Sequence, residues 1–148
     1  MLSQKAKYAL RALLALAEAG DEKSLLISDI ADQHNLPKKF LEQILLDLKH
    51  HGIVQSRRGR HGGYSLLKPA DEISFGQVVR IIDGPLAPLP CLSRMAYRRC
   101  EDCPGEDVCA IRRVFARVHE LTSTVLDRTT LAQALPGAER PRPREEVA

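Results

Sequence analysis

Residues 57–63, Arg-Arg-Gly-Arg-His-Gly-Gly, restrict the fold more than any other stretch of this chain. Three glycines in a run this short mark a tight turn, because only glycine enters the positive-φ conformations such turns use without a steric penalty. On either side, Ile53-Val-Gln-Ser56 and Tyr64-Ser-Leu-Leu67 are rich in the residues that suit short strands. The stretch therefore predicts a β-hairpin with a basic tip. From Lys49 to Lys68 the chain has five basic side chains (Lys49, Arg57, Arg58, Arg60 and Lys68) and no acid. Net charge is only +3, so this local stripe, and not the overall balance, points to a polyanionic partner such as a phosphate backbone.

Upstream of the hairpin, the apolar residues fall at helical spacing. Tyr8, Ala12, Leu13, Leu16 and Ala17 define a first helix, with Ser3 as N-cap and Gly20-Asp21 as its end. Ser28 is expected to cap a short second helix, Asp29 to His34, with Ile30 and Ala31 inward. Asn35-Leu-Pro37 breaks it. Proline at a first helical position forfeits no hydrogen bond, so Pro37 is expected to open a third helix reaching about His50. Phe40, Leu41, Ile44, Leu45 and Leu48 form its core stripe, leaving Lys38, Lys39, Glu42, Gln43 and Lys49 outside. Two helices joined by a three-residue turn, the second with a polar outer face, predict a helix-turn-helix. The basic hairpin that follows makes it the winged variant.

Ser74 is expected to cap a fourth helix, Phe75 to Ile82, with Val78, Val79 and Ile82 inward, followed by a loop from Asp83 to Pro90. From about Asp107 a long helical pattern begins: Val108, Ile111, Phe115, Val118, Thr122, Val125 and Thr129, widened by Val114 and Leu121. Such length in a small domain predicts packing against a second copy, hence a homodimer. The expected organisation is a mainly α fold with a small β-hairpin. A winged helix-turn-helix DNA-binding domain spans 1–83, a cysteine-bearing loop 84–106, a dimerisation helix 107–133 and a disordered tail 134–148. Hydrophobic residues at 44% suffice for a core, which must be aliphatic because aromatics are 4% and Trp is absent. The apolar run Ala12–Ala17 is too short for an export signal, and no segment reaches the ~18 apolar residues a membrane helix needs. A cytoplasmic location is expected, where thiols stay reduced.

All four cysteines fall within nineteen residues: Cys91, Cys100, Cys103 and Cys109. In a reduced compartment that grouping points to metal or redox chemistry before disulfides. Three readings stand: an iron-sulfur cluster of two or four irons, a four-thiolate zinc site without the usual paired Cys-x2-Cys knuckles, and a thiol switch with no metal. Arg94, Arg98, Arg99, Arg112 and Arg113 flank the cysteines and would offset thiolate charge. Glu101 and Asp102, between Cys100 and Cys103, disfavour an activated nucleophile, and no βαβ context is present, so a thiol oxidoreductase is not expected.

Lys5-Ala-Lys-Tyr-Ala-Leu-Arg11, Phe40-Leu-Glu-Gln43, Arg58-Gly-Arg-His-Gly-Gly-Tyr64 and the late cysteines, in that order, resemble the Rrf-type winged-helix regulators, which include IscR, NsrR and RirA. The resemblance runs from about Met1 to Leu135. It implies a dimer on a pseudo-palindromic operator, with recognition helices in the major groove and wings in the minor groove. It implies that the chain is a regulator, a repressor in the first instance, and not an enzyme, with DNA affinity set by a cluster. Some family members work without a cluster and answer to a partner protein instead. Lys38, Lys39, Glu42 and Gln43 are the expected base-edge residues, with Glu42 matching a glutamate that discriminates operator classes. In the wing, Arg57, Arg58 and Arg60 are expected on DNA, Arg58 matching the family's minor-groove arginine. The histidines His50, His51 and His61 are expected near phosphates. Pro37 and Lys39 depart from the small hydroxyl residues common in relatives, so operator sequence does not carry over.

Cys91, Cys103 and Cys109 match the family's three thiolate ligands. Where relatives supply a His after the last cysteine this chain has Arg112, and where others supply an N-terminal acid it has Lys7. His119 lies ten residues along the helix from Cys109, about 15 Å away at the helical rise. Cys100 is left as the substitute fourth ligand.

Overall fold

The computed structural model describes residues 2–138. The fold is mainly helical with one two-stranded antiparallel hairpin: α1 Gln4–Ala19, α2 Ile27–His34, α3 Lys38–His50, β1 Val54–Arg57, β2 Gly63–Leu66, α4 Phe75–Asp83, α5 Ala110–Arg128 and α6 Leu131–Ala134. Ser3 caps α1 as expected, its hydroxyl accepting from Ala6 N–H at 3.0 Å. Its own backbone N–H donates to Asp83 Oδ2 at 2.9 Å, which ties the start of α1 to the end of α4. Along α1 the small residues Ala6, Ala9 and Ala12 are fully buried, and α3 and α4 pack on this helix.

The start of α2 differs from expectation. It begins at Ile27, with Leu26 at the cap, so Ser28 sits inside the first turn. Pairing with the hairpin fixes this start. Leu25 N–H donates to Tyr64 O and Tyr64 N–H donates to Leu25 O, both at 2.8 Å, and the chain passes from that bridge straight into the helix. A Cβ on Gly63 would collide with the Leu25 carbonyl, so glycine is what permits the approach. At the other end, Asn35 closes α2 in the left-handed conformation (φ 51°), a position that Asn tolerates. Pro37 stands at the cap of α3 and not in its first turn, fixing the entry at φ −64°.

Leu41, Ile44, Leu45 and Leu48 are buried to 1% exposure or less, but Phe40 is 47% exposed. One residue of helix is about 100° of rotation, which turns Phe40 off the stripe and onto the edge of Tyr8, ring centroids 6.0 Å apart at 89°. The strands register Val54↔Leu66, Gln55↔Ser65, Ser56↔Tyr64 and Arg57↔Gly63, one residue later than expected on β1 and one earlier on β2. Their turn is closed by Gly62 N–H donating to Gly59 O at 2.9 Å.

The helix expected over 107–133 runs Ala110–Arg128. Thr129 ends it: its hydroxyl donates back to Val125 O at 2.7 Å, and Thr130 and Gln133 then form a reciprocal capping box that starts α6. Phe75 N–H donates to Thr129 O and Leu131 N–H to Ile73 O, both at 2.9 Å. Leu131 is thereby fully buried in the core formed by α1, α3 and α4. The expected tail at 134–148 begins with the last residue of α6, and its 139–148 portion lies outside the described residues. Among the described residues no helix is long and apolar enough to cross a membrane.

Leu131→Ala should lower unfolding free energy by about 2–5 kcal/mol, the usual cost of an aliphatic cavity in a packed core. Denaturant unfolding measures it, and a loss under about 1 kcal/mol would show that α6 is peripheral.

Candidate nucleic-acid interface and cysteine segment

Burying Leu41, Ile44, Leu45 and Leu48 forces the opposite side of α3 outward. Lys38, Lys39, Glu42 and Gln43 are all exposed there, in the N-terminal half of the helix. Arg57 ends β1, and Arg58 and Arg60 flank Gly59 on the turn (φ 104°); all three are exposed. Among the described residues none of these five cations pairs with an acid. Lys49 links the two parts, its Nζ donating to Ser56 Oγ at 2.7 Å from the last turn of α3 to β1. His50, His51 and His61 are all exposed, and His51 also contacts the Asp47 carbonyl through Nδ1 at 2.8 Å and closes α3.

Two contacts here were not anticipated from the sequence. Lys5 Nζ donates to Asp47 Oδ2 at 2.8 Å, joining α1 to α3 across 42 positions, and Gln43 Nε2 donates to the other oxygen of the same carboxylate at 3.0 Å. Asp47 is held below its ordinary pKa first by the Lys5 hydrogen bond and further by Gln43 and the charges of Lys5 and His50. Lys5 lies 42 positions away, so no local pattern signals that contact, whereas Gln43 and Asp47 stand at i and i+4 of α3, a spacing that brings the two side chains together.

The cysteine segment hangs between α4 and α5. Cys91 is buried in a single 3-10 turn, Pro90–Leu92; Cys100 is exposed; Cys103 and Cys109 are half-buried. Cys109 sits at the N-cap of α5, one residue before its first turn and not within the helix as a start at Asp107 would have it, its Sγ accepting from Arg112 N–H at 3.4 Å. The Cys100 thiol is pushed up, first by desolvation and then by the charges of Cys91, Cys103, Asp102 and Cys109. Cys100 therefore lies within electrostatic reach of the other three sulfurs. They are not closed into a cage: among the described residues no three Cys, His, Asp or Glu side chains are placed to hold an ion. The donor set itself, four thiols within nineteen residues, fits a sulfur-bound centre, because thiolate sulfur is the donor that zinc and iron-sulfur centres take. Arg112 points its charge to Glu106 at 3.6 Å, and Tyr97 donates its hydroxyl to the same carboxylate. His119 pairs with Ser123 at 3.3 Å along α5.

The far end of α5 is clamped. Arg80 of α4 grips Asp127 with both guanidinium nitrogens, at 2.5 and 2.9 Å, and Gly76 makes room because a Cβ there would strike that carboxylate. Along the rest of α5, Ile111, Val114, Phe115, Val118, Leu121 and Val125 are 40–62% exposed, a continuous apolar face.

A helix-turn-helix whose second helix has a polar face, followed by a basic hairpin, defines a winged-helix transcription regulator. A family model described as the iron-dependent transcriptional regulator family Rrf2 matches residues 2–136. An rrf2-like HTH-type transcriptional regulator of Rhodobacter capsulatus is 52% identical over 138 residues, covering 91% of this chain and 92% of that one. Among solved structures, CymR, the global cysteine regulator of Bacillus subtilis, superposes with a TM-score of 0.74 at 32% identity, covering 88% of this chain and 92% of its own. IscR of T. potens superposes at 0.68 and 26% identity, covering 89% and 83%. The chain belongs to the Rrf2 family, and it regulates transcription; it is not an enzyme.

Asp127 is held below its ordinary pKa, chiefly by the Arg80 hydrogen bonds. A depressed carboxylate contributes stability above its unfolded pKa of about 3.9 and loses it as pH falls through the folded value. With both partners partly exposed, the contribution is discounted to about 0.2–1 kcal/mol. Thermal melts should show the wild-type advantage over Asp127→Asn at pH 7 shrinking below pH 4. An advantage that does not change with pH would remove the ion pair from the account.

Proposed function

We propose that this regulator is a homodimeric repressor that binds a pseudo-palindromic operator and carries an iron-sulfur cluster on Cys91, Cys100, Cys103 and Cys109. The observation that carries the cluster reading is the grouping of all four cysteines in one nineteen-residue segment that leads into α5, with Cys109 at the cap of that helix and Cys100 exposed. A bound cluster would supply a metal-dependent and redox-dependent charge at that point. Everything else is done by the chain. Lys38, Lys39, Glu42 and Gln43 present donors and acceptors to base edges in the major groove. Arg57, Arg58 and Arg60 bring unpaired positive charge to the backbone and the minor groove, with Arg58 foremost. The apolar face of α5 packs on its copy in a second chain and sets the distance between the two α3 helices. The cysteine segment leads into α5 at Cys109, so ordering it changes where that helix starts relative to the winged unit.

A second reading, thiol-based control without a cluster, is favoured by the exposure of Cys100 and by the likeness to CymR of Staphylococcus aureus, one structure of which is described as its oxidized form. Anaerobic purification with iron, sulfide and zinc quantification separates the two. The proposal expects iron and acid-labile sulfide in equal amounts, lost in Cys100→Ser, and an operator affinity that differs about ten-fold or more between loaded and apo protein, within the usual range of allosteric coupling. Metal-free protein whose affinity follows thiol oxidants would establish the second reading instead. Arg58→Ala should weaken operator binding and lower the salt slope by about one. An unchanged slope would take Arg58 off the DNA.

A further inference from the structure

We infer that Asp47, held by Lys5, is a specificity-positioning residue that fixes the side-chain amide of Gln43 for reading adenine. The inference rests on the proposed placement of α3 in the major groove. Gln43 and Asp47 are one helical turn apart, and Gln43 Nε2 donates to Asp47 Oδ1 at 3.0 Å while Lys5 Nζ occupies Oδ2 at 2.8 Å. An ionised carboxylate only accepts hydrogen bonds, so it forces the amide nitrogen, and not the oxygen, to face it. Asp47 is ionised at neutral pH, and Lys5, bonded to its Oδ2, holds the carboxylate in place so that Oδ1 faces Gln43. The amide thus keeps one orientation. One N–H of Gln43 is spent on Asp47; the other N–H and Oε1 remain. A donor beside an acceptor is what the N7 and N6–H edge of adenine requires, whereas guanine presents two acceptors there.

The pair also answers an electrostatic difficulty. A bare carboxylate on a DNA-facing helix repels the phosphates. Lys5 cancels that charge from α1, so Asp47 can orient Gln43 without penalty to affinity. Lys5 is in turn a buttress of Asp47 and not a phosphate contact.

Selection from a random duplex library, followed by sequencing, tests this with wild type, Gln43→Ala, Asp47→Ala, Asp47→Asn and Lys5→Met, each first checked for folding by thermal melting. Wild type should enrich adenine at one column of each half-site, by about ten-fold over other bases, as a bidentate contact gives. Gln43→Ala should lose that column, and Asp47→Ala and Lys5→Met should lose most of it, with the remaining columns kept. If Asp47→Ala does not fold, Asp47→Asn and Lys5→Met carry the same expectation. Lys5→Met should leave the salt slope of binding unchanged. Retention of the Gln43-dependent column in folded Asp47 and Lys5 variants would overturn the inference. So would a slope lowered by about one in Lys5→Met, which marks a phosphate contact. A wild-type site with no column sensitive to Gln43→Ala would overturn it while leaving the operator reading intact. Failure of wild type to enrich any site would instead bring down the operator reading beneath it.

Discussion

One side of α3 has no freedom. Leu41, Ile44, Leu45 and Leu48 recur at three- and four-residue steps, and all four are buried against α1 and its neighbours. Rotating the helix by one residue would expose that stripe and bury Lys39 or Glu42 in its place, an exchange of aliphatic burial for desolvated charge. The alanines of α1 set how close α3 can come, and the Leu25–Tyr64 bridge sets where the hairpin stands beside it. The outward face of α3 and the tip of the hairpin are therefore fixed by what is buried, and no residue of the exposed set contributes to the core that holds it.

The parts governed by local period could be read from the sequence, and the parts governed by return of the chain could not. Three-residue and four-residue spacing gave α1, α3 and α4, and the glycines gave the hairpin. Ser28 was a misleading signal because a backbone bridge to Tyr64, not a hydroxyl, starts α2. Phe40 belonged by composition to the stripe and by geometry to its edge. The pattern of α5 ran on through Thr129 with no glycine or proline to stop it, yet Thr130-Leu-Ala-Gln133 was a capping box in plain view. Its consequence, a leucine returned to the first domain's core, depended on Ile73 and Thr129 meeting in space. Lys5 and Asp47 had no local trace at all. Of the candidate site, the exposed face of α3 and the wing cations were legible, while the density of cysteines in the sequence does not fix how their side chains are arranged: among the described residues no three are placed to hold an ion.

That return changes the mechanical character of α5. A terminal helix tied only by a loop would move as a separate body. Here its C-terminal end is held by the Arg80–Asp127 pair, by the Phe75–Thr129 bond and by Leu131 in the core. These contacts engage α4, Ile73 just before it and, through Leu131, the core against α1, so this end of the helix is fixed to the winged unit. Its N-terminal end has no such anchor in the core: it starts at Cys109, after a segment whose only regular element is the turn at Pro90–Leu92.

A rod pinned at one end and led in at the other by an irregular segment responds to that segment by pivoting. The thiols sit at the responsive end. Tyr97, Glu106 and Arg112 already brace it with polar contacts, and Arg99 adds a bond to the Cys103 carbonyl at 3.4 Å. Such exposed contacts are individually weak because water screens them, and are readily outweighed by a metal–thiolate centre or a disulfide. On the proposed reading, a bond that draws Cys91 or Cys100 toward Cys109 would act at the N-terminal end of α5, where Cys109 is the cap. With the other end held by Arg80 and Leu131, the displacement would change the angle between the apolar face and α3, and in the proposed dimer that angle would carry events at sulfur to the spacing of the two α3 helices.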